Sequence, residues 1–342
     1  MTHKSKHRCH WVVSALAFLA LLMTAGTASA QEPNSEFFRG KTLTYIVSTN
    51  PGGGYDYYGR LMARYLEKYL PVSRVIVRNV PGAGHIIGAN TIYTSRPDGL
   101  TIGVFNTGLI YSQLLQASGV RFDLNKMSWI GKMAGEGRTL IFSTRSGLVD
   151  IDDLFAADEV LLAAAGVGSA AYTETRILMR VLNLENARLI PGFIGNEIEL
   201  SMLRGEVQGT LSVTSTQAPF VERGEAKYIV AIAGTRSAIE GIPQVRDFVS
   251  DPENLQLLSL VENMAELGRL TAGPPEIAPA TLAVLRQAFE AAMNDSGLLG
   301  EANRMQVPME LGTGDEVAAM VETALDQPAH IVELLREAAT EQ

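Results

Sequence analysis

Apolar residues along this chain come in short runs separated by amphipathic stretches. Leu43–Ser48 is an apolar run of strand length, closed by the turn residues Asn50–Gly54. From Tyr55 to Leu70 the apolar positions Tyr58, Leu61, Met62, Tyr65, Leu66 and Tyr69 recur at three- and four-residue steps. That spacing predicts one face of a helix packed on a sheet. The device then repeats: a strand at Val75–Val77, a loop at Pro81–Gly84, and a helix from near His85 to near Thr94. Arg96-Pro97-Asp98-Gly99 has the chemistry of a turn. Leu100–Phe105 is a third buried strand, and Asn106-Thr107-Gly108 leads into a helix reaching about Ala117. Strands alternating with helices predict βαβ units and a parallel sheet.

Phe122–Lys126 reads as a loop, and Trp129–Ser143 as extended segments that leave this first half. The alternation then restarts. Asp150 caps a short helix, Val160–Ala164 is a strand, and Gly166–Ser169 opens a helix to about Leu182. Ala187–Ile190 is a strand, Pro191–Asn196 a glycine loop, and Asn196–Arg204 a helix, with Val207–Val213 and Tyr228–Ala233 completing a second sheet. From Glu240 the pattern is mostly helical, with helices at Leu282–Met293 and Val317–Ala339 and short strands at Leu270–Gly273 and Met309–Leu311. The predicted class is α/β with two lobes and a ligand between them. Residues 31–132 and 236–342 form one lobe, and residues 133–235 the other.

The glycine loops carry the candidate chemistry. A glycine loop opening a helix presents unpaired N–H groups beside the positive end of the helix dipole, which suits an anion. Loops that follow two consecutive parallel strands lie at one sheet edge, where open α/β sheets bind ligands. The candidate ligand contacts are Asn50, Pro51, Gly52, Gly53, Gly54 and Asp56 in the first loop and helix start. Pro81, Gly82, Ala83, Gly84 and His85 follow in the second, and Thr107 after the third strand. Gly168, Ser169, Gly195 and Asn196 are the candidates in the second lobe. Asp56 with Arg60 four residues on also fits a plain turn with an ion pair. Three successive glycines exceed what a turn needs, because each costs chain entropy, so close approach of a ligand is the better reading. His85 stands at a helix start, where a protonated imidazole is disfavoured. It is either a neutral hydrogen-bonding group or a contact for a ligand carboxylate, and in the second case affinity strengthens as pH falls through roughly 6.5.

Composition narrows the alternatives. Lys4, Lys6 and Arg8 precede the apolar run Trp11–Met23 and the small-residue signal Ala28-Ser29-Ala30. This is the pattern of a secretory leader cleaved after Ala30, and the run is short of the roughly 20 apolar residues that span a bilayer. Cleavage removes three basic residues and no acid, moving the net charge from −9 to −12. That surplus argues against nucleic acid or an anionic membrane as partner. Cys9 is the only cysteine and leaves with the leader, so no disulfide is expected. Only His85 and His330 remain of the five histidines, which disfavours zinc. Gly82, Gly84 and Gly88 are spaced G-x-G-x-x-x-G, which is not the dinucleotide fingerprint, and neither a P-loop nor G-x-S-x-G occurs. A Ser-His-Asp site would have to use His85 or His330. Asp150, Asp152 and Asp153 lack the glycine and distal glutamate of a calcium loop and read as a helix start. No cofactor, metal or catalytic group is expected.

Pro51-Gly52-Gly53-Gly54-x-Asp56-x-x-x-Arg60, Asn79-x-Pro81-Gly82-Ala83-Gly84 and Pro97-Asp98-Gly99-x-Thr101, behind an exported start, together resemble the periplasmic solute receptors of tripartite tricarboxylate transporters, the Bug family. The resemblance implies a type II periplasmic binding fold that closes on a carboxylate without catalysis. It also implies a small organic carboxylate ligand, an inner-membrane permease as partner, a monomer and a periplasmic location. In that family the first two glycine loops hold a ligand carboxylate, partly through waters. This carries over to Pro51, Gly52, Gly53, Asp56, Pro81, Gly82, Ala83 and Gly84. In the second lobe Gly168 and Ser169 match the family's helix start, and Gly192–Asn196 its next loop. The family usually has a second glycine where His85 stands, and an aspartate after the Gly-Glu-Val run, where this chain has Gln208-Gly209. The same fold presenting its ligand to a sensor kinase, or an exported hydrolase, are the alternative readings.

Overall fold

The computed structural model describes residues 35–340 except 136, 194–195 and 233–239. The expected leader at residues 1–30 and the candidate Gly195 lie outside the described residues. In chain order, β1 (Thr42–Val47), α1 (Gly54–Tyr69), β2 (Arg74–Asn79), α2 (Ile86–Tyr93), β3 (Thr101–Phe105), α3 (Gly108–Leu114) and β4 (Ser128–Lys132) come first. The chain then crosses to β5 (Arg138–Ser143), α4 (Ile151–Ala156), β6 (Val160–Ala164), α5 (Ala170–Val181) and β7 (Ala187–Pro191). The second sheet is completed by α6 (Glu197–Arg204), β8 (Gly209–Val213), α7 (Thr214–Glu222) and β9 (Ala226–Ile232). It returns through α8 (Pro252–Leu267), β10 (Leu270–Gly273), α9 (Pro279–Met293) and α10 (Ser296–Arg304) to β11 (Gly312–Thr313), α11 (Gly314–Leu325) and α12 (Ala329–Thr340).

The strands form two sheets, ordered β11-β4-β10-β3-β1-β2 and β7-β6-β8-β5-β9. In the first, β1 runs parallel to β2 and β3, with Val47 opposite Asn79, so the loops after β1 and β2 leave from the same edge. β10 enters antiparallel between β3 and β4. In the second, β6 is parallel to β7 and β8, and β5 lies antiparallel between β8 and β9. Each sheet is a lobe of an α/β fold. One apolar core runs from Ile46, Phe105 and Leu109 in the first lobe to Leu162, Leu178 and Leu335 beyond it. A second core backs the first sheet through Tyr45, Tyr58, Leu61, Leu285 and Phe289, and a smaller one backs the second through Ile141, Met202 and Phe220.

Two crossings join the lobes side by side. The Met133 N–H donates to the Arg269 carbonyl at 2.9 Å, and the Arg269 N–H to the Ala134 carbonyl at 2.8 Å. Neither crossing has room for a side chain at its glycine. A Cβ on Gly135 would lie 2.5 Å from the Glu266 carbonyl oxygen, and one on Gly268 would lie 1.8 Å from that of Ala134.

Several elements differ from the sequence expectation. The single helix expected over Val317–Ala339 is two, because Pro328 has no N–H to continue the ladder and Asp326 ends α11 in a non-helical conformation. The strand expected at Met309–Leu311 pairs instead at Gly312–Thr313, opposite Gly131 and Lys132. The helix α7 was not foreseen; it carries Pro219 inside it. Residues 252–267 and 329–340, expected with the first lobe, pack as α8 and α12 against α5, and Arg180 of α5 meets Glu337 of α12 at 3.0 Å. The reason is visible in α8: Leu257, Leu258, Leu260, Val261 and Met264 bury more than one face, which needs neighbours on two sides. Among the described residues, no helix is long and apolar enough to cross a membrane.

Candidate functional site

The glycine loops of both lobes meet around a cavity of about 600 Å³. From the first lobe it is lined by Ser48–Tyr55, Pro81, Gly82, Gly84 and His85, and from the second by Ala165, Gly166, Ser169, Phe193 and Asn196. None of these side chains is an acid, a lysine or an arginine. The surface offered to a ligand is therefore backbone amide, hydroxyl, carboxamide, aromatic ring and one imidazole.

The first loop is held from behind. Gly52 and Gly53 both have φ of 83°, the left-handed region that disfavours a side chain, and no atom lies within 4 Å of where either Cβ would stand. Gly54 is glycine for a different reason. A Cβ there would lie 3.0 Å from the guanidinium of Arg269. Three glycines in a row thus reflect two backbone conformations and one close packing contact. No side chain caps α1, so its first N–H groups lack intrahelical partners.

Asp56 anchors this loop. Its carboxylate is 5% exposed and accepts hydrogen bonds from the Gly52 N–H (2.9 Å), Arg60 Nε (2.9 Å) and Asn79 Nδ2 (2.8 Å). Arg60 also donates to Asn79 Oδ1, and Asn79 Nδ2 to the Thr49 carbonyl. One network of Asp56, Arg60 and Asn79 therefore ties the first loop to the end of β2, and Asp56 is not part of the cavity lining. Burial works to raise the Asp56 pKa. The bonds from Arg60, Gly52 and Asn79, with the Arg60 charge, outweigh it and hold the carboxyl below its usual value.

The second loop is strained. Gly82, Ala83, Gly84 and His85 have successive φ values of 125°, 47°, 59° and 78°. For the two residues with a Cβ, this conformation costs on the order of 1 kcal/mol each or more. His85 is anchored by a 3.0 Å bond between Nδ1 and the Ser48 carbonyl. Burial lowers its pKa, with the Ser48 bond acting weakly the other way, so the ring is neutral at pH 7. Ala83 does not line the cavity, although its neighbours do. Gly88 lies outside the cavity as a packing glycine, since a Cβ there would meet Ser48 Oγ at 2.3 Å.

In the second lobe Ser169 caps α5, its Oγ accepting from the Tyr172 N–H at 3.2 Å, which leaves the hydroxyl hydrogen able to donate. Asn196 begins α6 with no side-chain cap bond. Gly168 is not in the lining. Its carbonyl would lie 2.8 Å from a Cβ on Gly84, so the lobes touch there. Thr107 is fully buried away from the cavity, and its hydroxyl has no partner among the described residues.

The comparisons decide what this geometry belongs to. Residues 59–332 match the sequence profile of the tripartite tricarboxylate transporter family receptor. The chain belongs to the tripartite tricarboxylate transporter receptor family. Among curated relatives, a UPF0065 protein of Pseudomonas sp. strain P51 is 26% identical over 175 residues, 50% of this chain and 51% of that protein. The match thus spans about half the length of that relative. The solved periplasmic binding protein BugD shares the fold with a TM-score of 0.70 at 18% identity, over 88% of this chain and 98% of that one. MatC of Rhodopseudomonas palustris, solved with malate, gives 0.68 at 19% identity, over 85% and 99%. Another R. palustris protein, solved with adipate, gives 0.69 at 16%, over 87% and 97%. The two-lobed architecture is that of these type II periplasmic binding proteins.

Two parts of this family member's site escaped sequence reasoning. Arg269, only 3% exposed, enters β10 beneath the first loop with its guanidinium 4.8 Å from the Tyr55 ring and 4.3 Å from Tyr58. A lone arginine between Leu267 and Leu270 in an apolar stretch was the available signal. The aromatic lining comes from Tyr55, at the start of its helix, and Phe193, inside the Pro191–Asn196 glycine loop, neither of which the glycine-based reading names as a contact.

Proposed function

We propose that the protein is a periplasmic receptor that traps a small organic carboxylate between its lobes and hands it to an inner-membrane permease, without catalysis. The single observation carrying this reading is a cavity framed by two glycine loops and an uncapped helix start, with no acid or lysine among the described residues of its wall. Neutral amides at helix starts accept an anion without the desolvation cost of burying a lysine against it. Two solved relatives hold malate and adipate, which supports the same ligand class here. The residues we assign to the ligand are those of the lining, with Asp56 as the support of the first loop. We further propose that residues 1–30 are a cleaved leader, that the mature chain acts as a monomer, and that closure turns on the paired crossings at residues 133–135 and 267–269.

A thermal-shift panel of mono-, di- and tricarboxylates on the purified protein tests the reading. An acid present at 100 times its dissociation constant adds about 2.7 kcal/mol of stability, an easily visible shift. A panel in which no acid stabilises the protein, or in which a carboxylate ester is turned over, would defeat it.

A further inference from the structure

His85 stands where the backbone resists a side chain, at the end of four successive left-handed residues and in the cavity wall. Strain of this kind persists where the surroundings impose it, and it gathers at binding sites. What the side chain gains is a fixed hydrogen-bond polarity. The Ser48 carbonyl can only accept, so Nδ1, 3.0 Å away, carries the hydrogen. In the neutral ring Nε2 is then a bare acceptor, and among the described residues it makes no hydrogen bond. The neighbouring ring is Tyr55 of α1, with centroids 6.1 Å apart. Burial lowers the proton affinity of the imidazole, and the Ser48 bond acts the other way.

The cavity therefore has two kinds of wall. Around the glycine loops it offers donors, which suit carboxylate oxygens. At His85 it offers a lone pair, which repels a carboxylate oxygen and requires an O–H or N–H. Resting on the carboxylate-receptor reading, we propose that His85 selects acids that carry a hydrogen-bond donor beside the carboxylate, a hydroxyl or an ammonium group, and takes that donor on Nε2. This reverses the expectation that the imidazole meets the carboxylate itself.

The test uses three four-carbon dicarboxylates that differ in one substituent: malate (hydroxyl), aspartate (ammonium) and succinate (neither). Each is titrated calorimetrically at pH 7.5, in two buffers of different ionisation enthalpy, against the wild type and His85→Gly. Glycine adopts the left-handed conformation without cost, so this variant folds while losing the acceptor. In the wild type, malate or aspartate binds about tenfold or more tightly than succinate, because succinate leaves Nε2 unpaired in a closed site. Whichever of the two is preferred identifies the donor. In His85→Gly that preference falls to within about twofold, since nothing is then left unpaired. Equal binding of all three by the wild type overturns the proposal, as does a preference that survives in His85→Gly. Proton uptake accompanying succinate binding overturns it too, because it would show the ring charging to meet a second carboxylate. If succinate binds without discrimination, the receptor reading stands and only this inference falls. If neither these acids nor any other carboxylate binds, both fall.

Discussion

The residue that most repays mutation is Asp56. Its place in the motif predicts a ligand contact, yet three donors already engage both oxygens of its carboxylate, among them the Gly52 N–H of the loop it supports. Replacing it with asparagine leaves Arg60 facing a neutral group and the loop less firmly held. We expect Asp56→Asn to fold, to lose roughly 1–3 kcal/mol of stability, and to bind its carboxylate about tenfold more weakly. Titration and denaturant unfolding of the same preparation check both halves, and unchanged affinity would mean the network only braces the helix. The pH dependence follows from the sign of the shift. The folded pKa of Asp56 lies below the unfolded value of about 3.9, so its contribution is complete above that value and disappears as pH falls through the folded one. The stability gap between wild type and Asp56→Asn is therefore expected to stay constant from pH 8 to about pH 5 and to shrink below about pH 4.

At the scale of elements, a buried ion pair links the second sheet to the helix that opens at the cavity. Arg138 of β5 and Glu174 of α5, 4% and 0% exposed, pair through Nε–Oε2 at 2.6 Å and a second bond at 3.2 Å. Removing one partner leaves a buried charge uncompensated, so Glu174→Gln should cost about 3–5 kcal/mol, whereas Arg138→Met with Glu174→Leu should stay near wild type. A double variant that loses as much as Glu174→Gln would show instead that the ion pair itself, not the uncompensated charge, carries the stability. This element level was also the most legible in the sequence. Strands with unbroken apolar runs, such as Val160–Ala164, lie where their pattern puts them, and Asp150 caps its helix as its type suggests. The failures have local causes. Pro328 divides a continuous apolar period that looked like one helix, and α7 presents almost no amphipathic contrast to be read. Within the site, the glycine loops could be found because they are written contiguously. Arg269 could not, because it reaches Gly54 and Tyr55 from a strand more than two hundred residues away, and Phe193 is passed over inside a loop whose signal is its glycines.

For the whole molecule, the decisive contact is the one across the cleft. A Cβ on Gly84 would lie 2.8 Å from the Gly168 carbonyl oxygen, whereas one on Gly52 meets nothing within 4 Å. Both glycines have positive φ, so alanine at either carries a similar backbone penalty. Only Gly84→Ala should in addition hold the lobes apart. With saturating ligand, small-angle scattering should show Gly52→Ala compacting as the wild type does and Gly84→Ala remaining expanded, and equal compaction would remove the contact from the closing motion. The pattern of alternation disclosed two lobes, but not which helices serve which. α8 and α12 cover α5 of the second lobe although the chain has by then left the second sheet: α8 buries a broad apolar face, and α12 adds the single stripe Ile331, Leu335 and Ala338.

The insertion of β10 between β3 and β4 has a consequence for how the molecule comes into being. Strands 101–105 and 128–132 are near neighbours along the chain but cannot hydrogen-bond through the sheet until residues 270–273 arrive to sit between them. The opening section of the chain therefore cannot mature until a segment from its last quarter is at hand. Until then two bare strand margins remain open to misassembly, which makes the docking of residues 270–273 the step at which this protein commits to its native form.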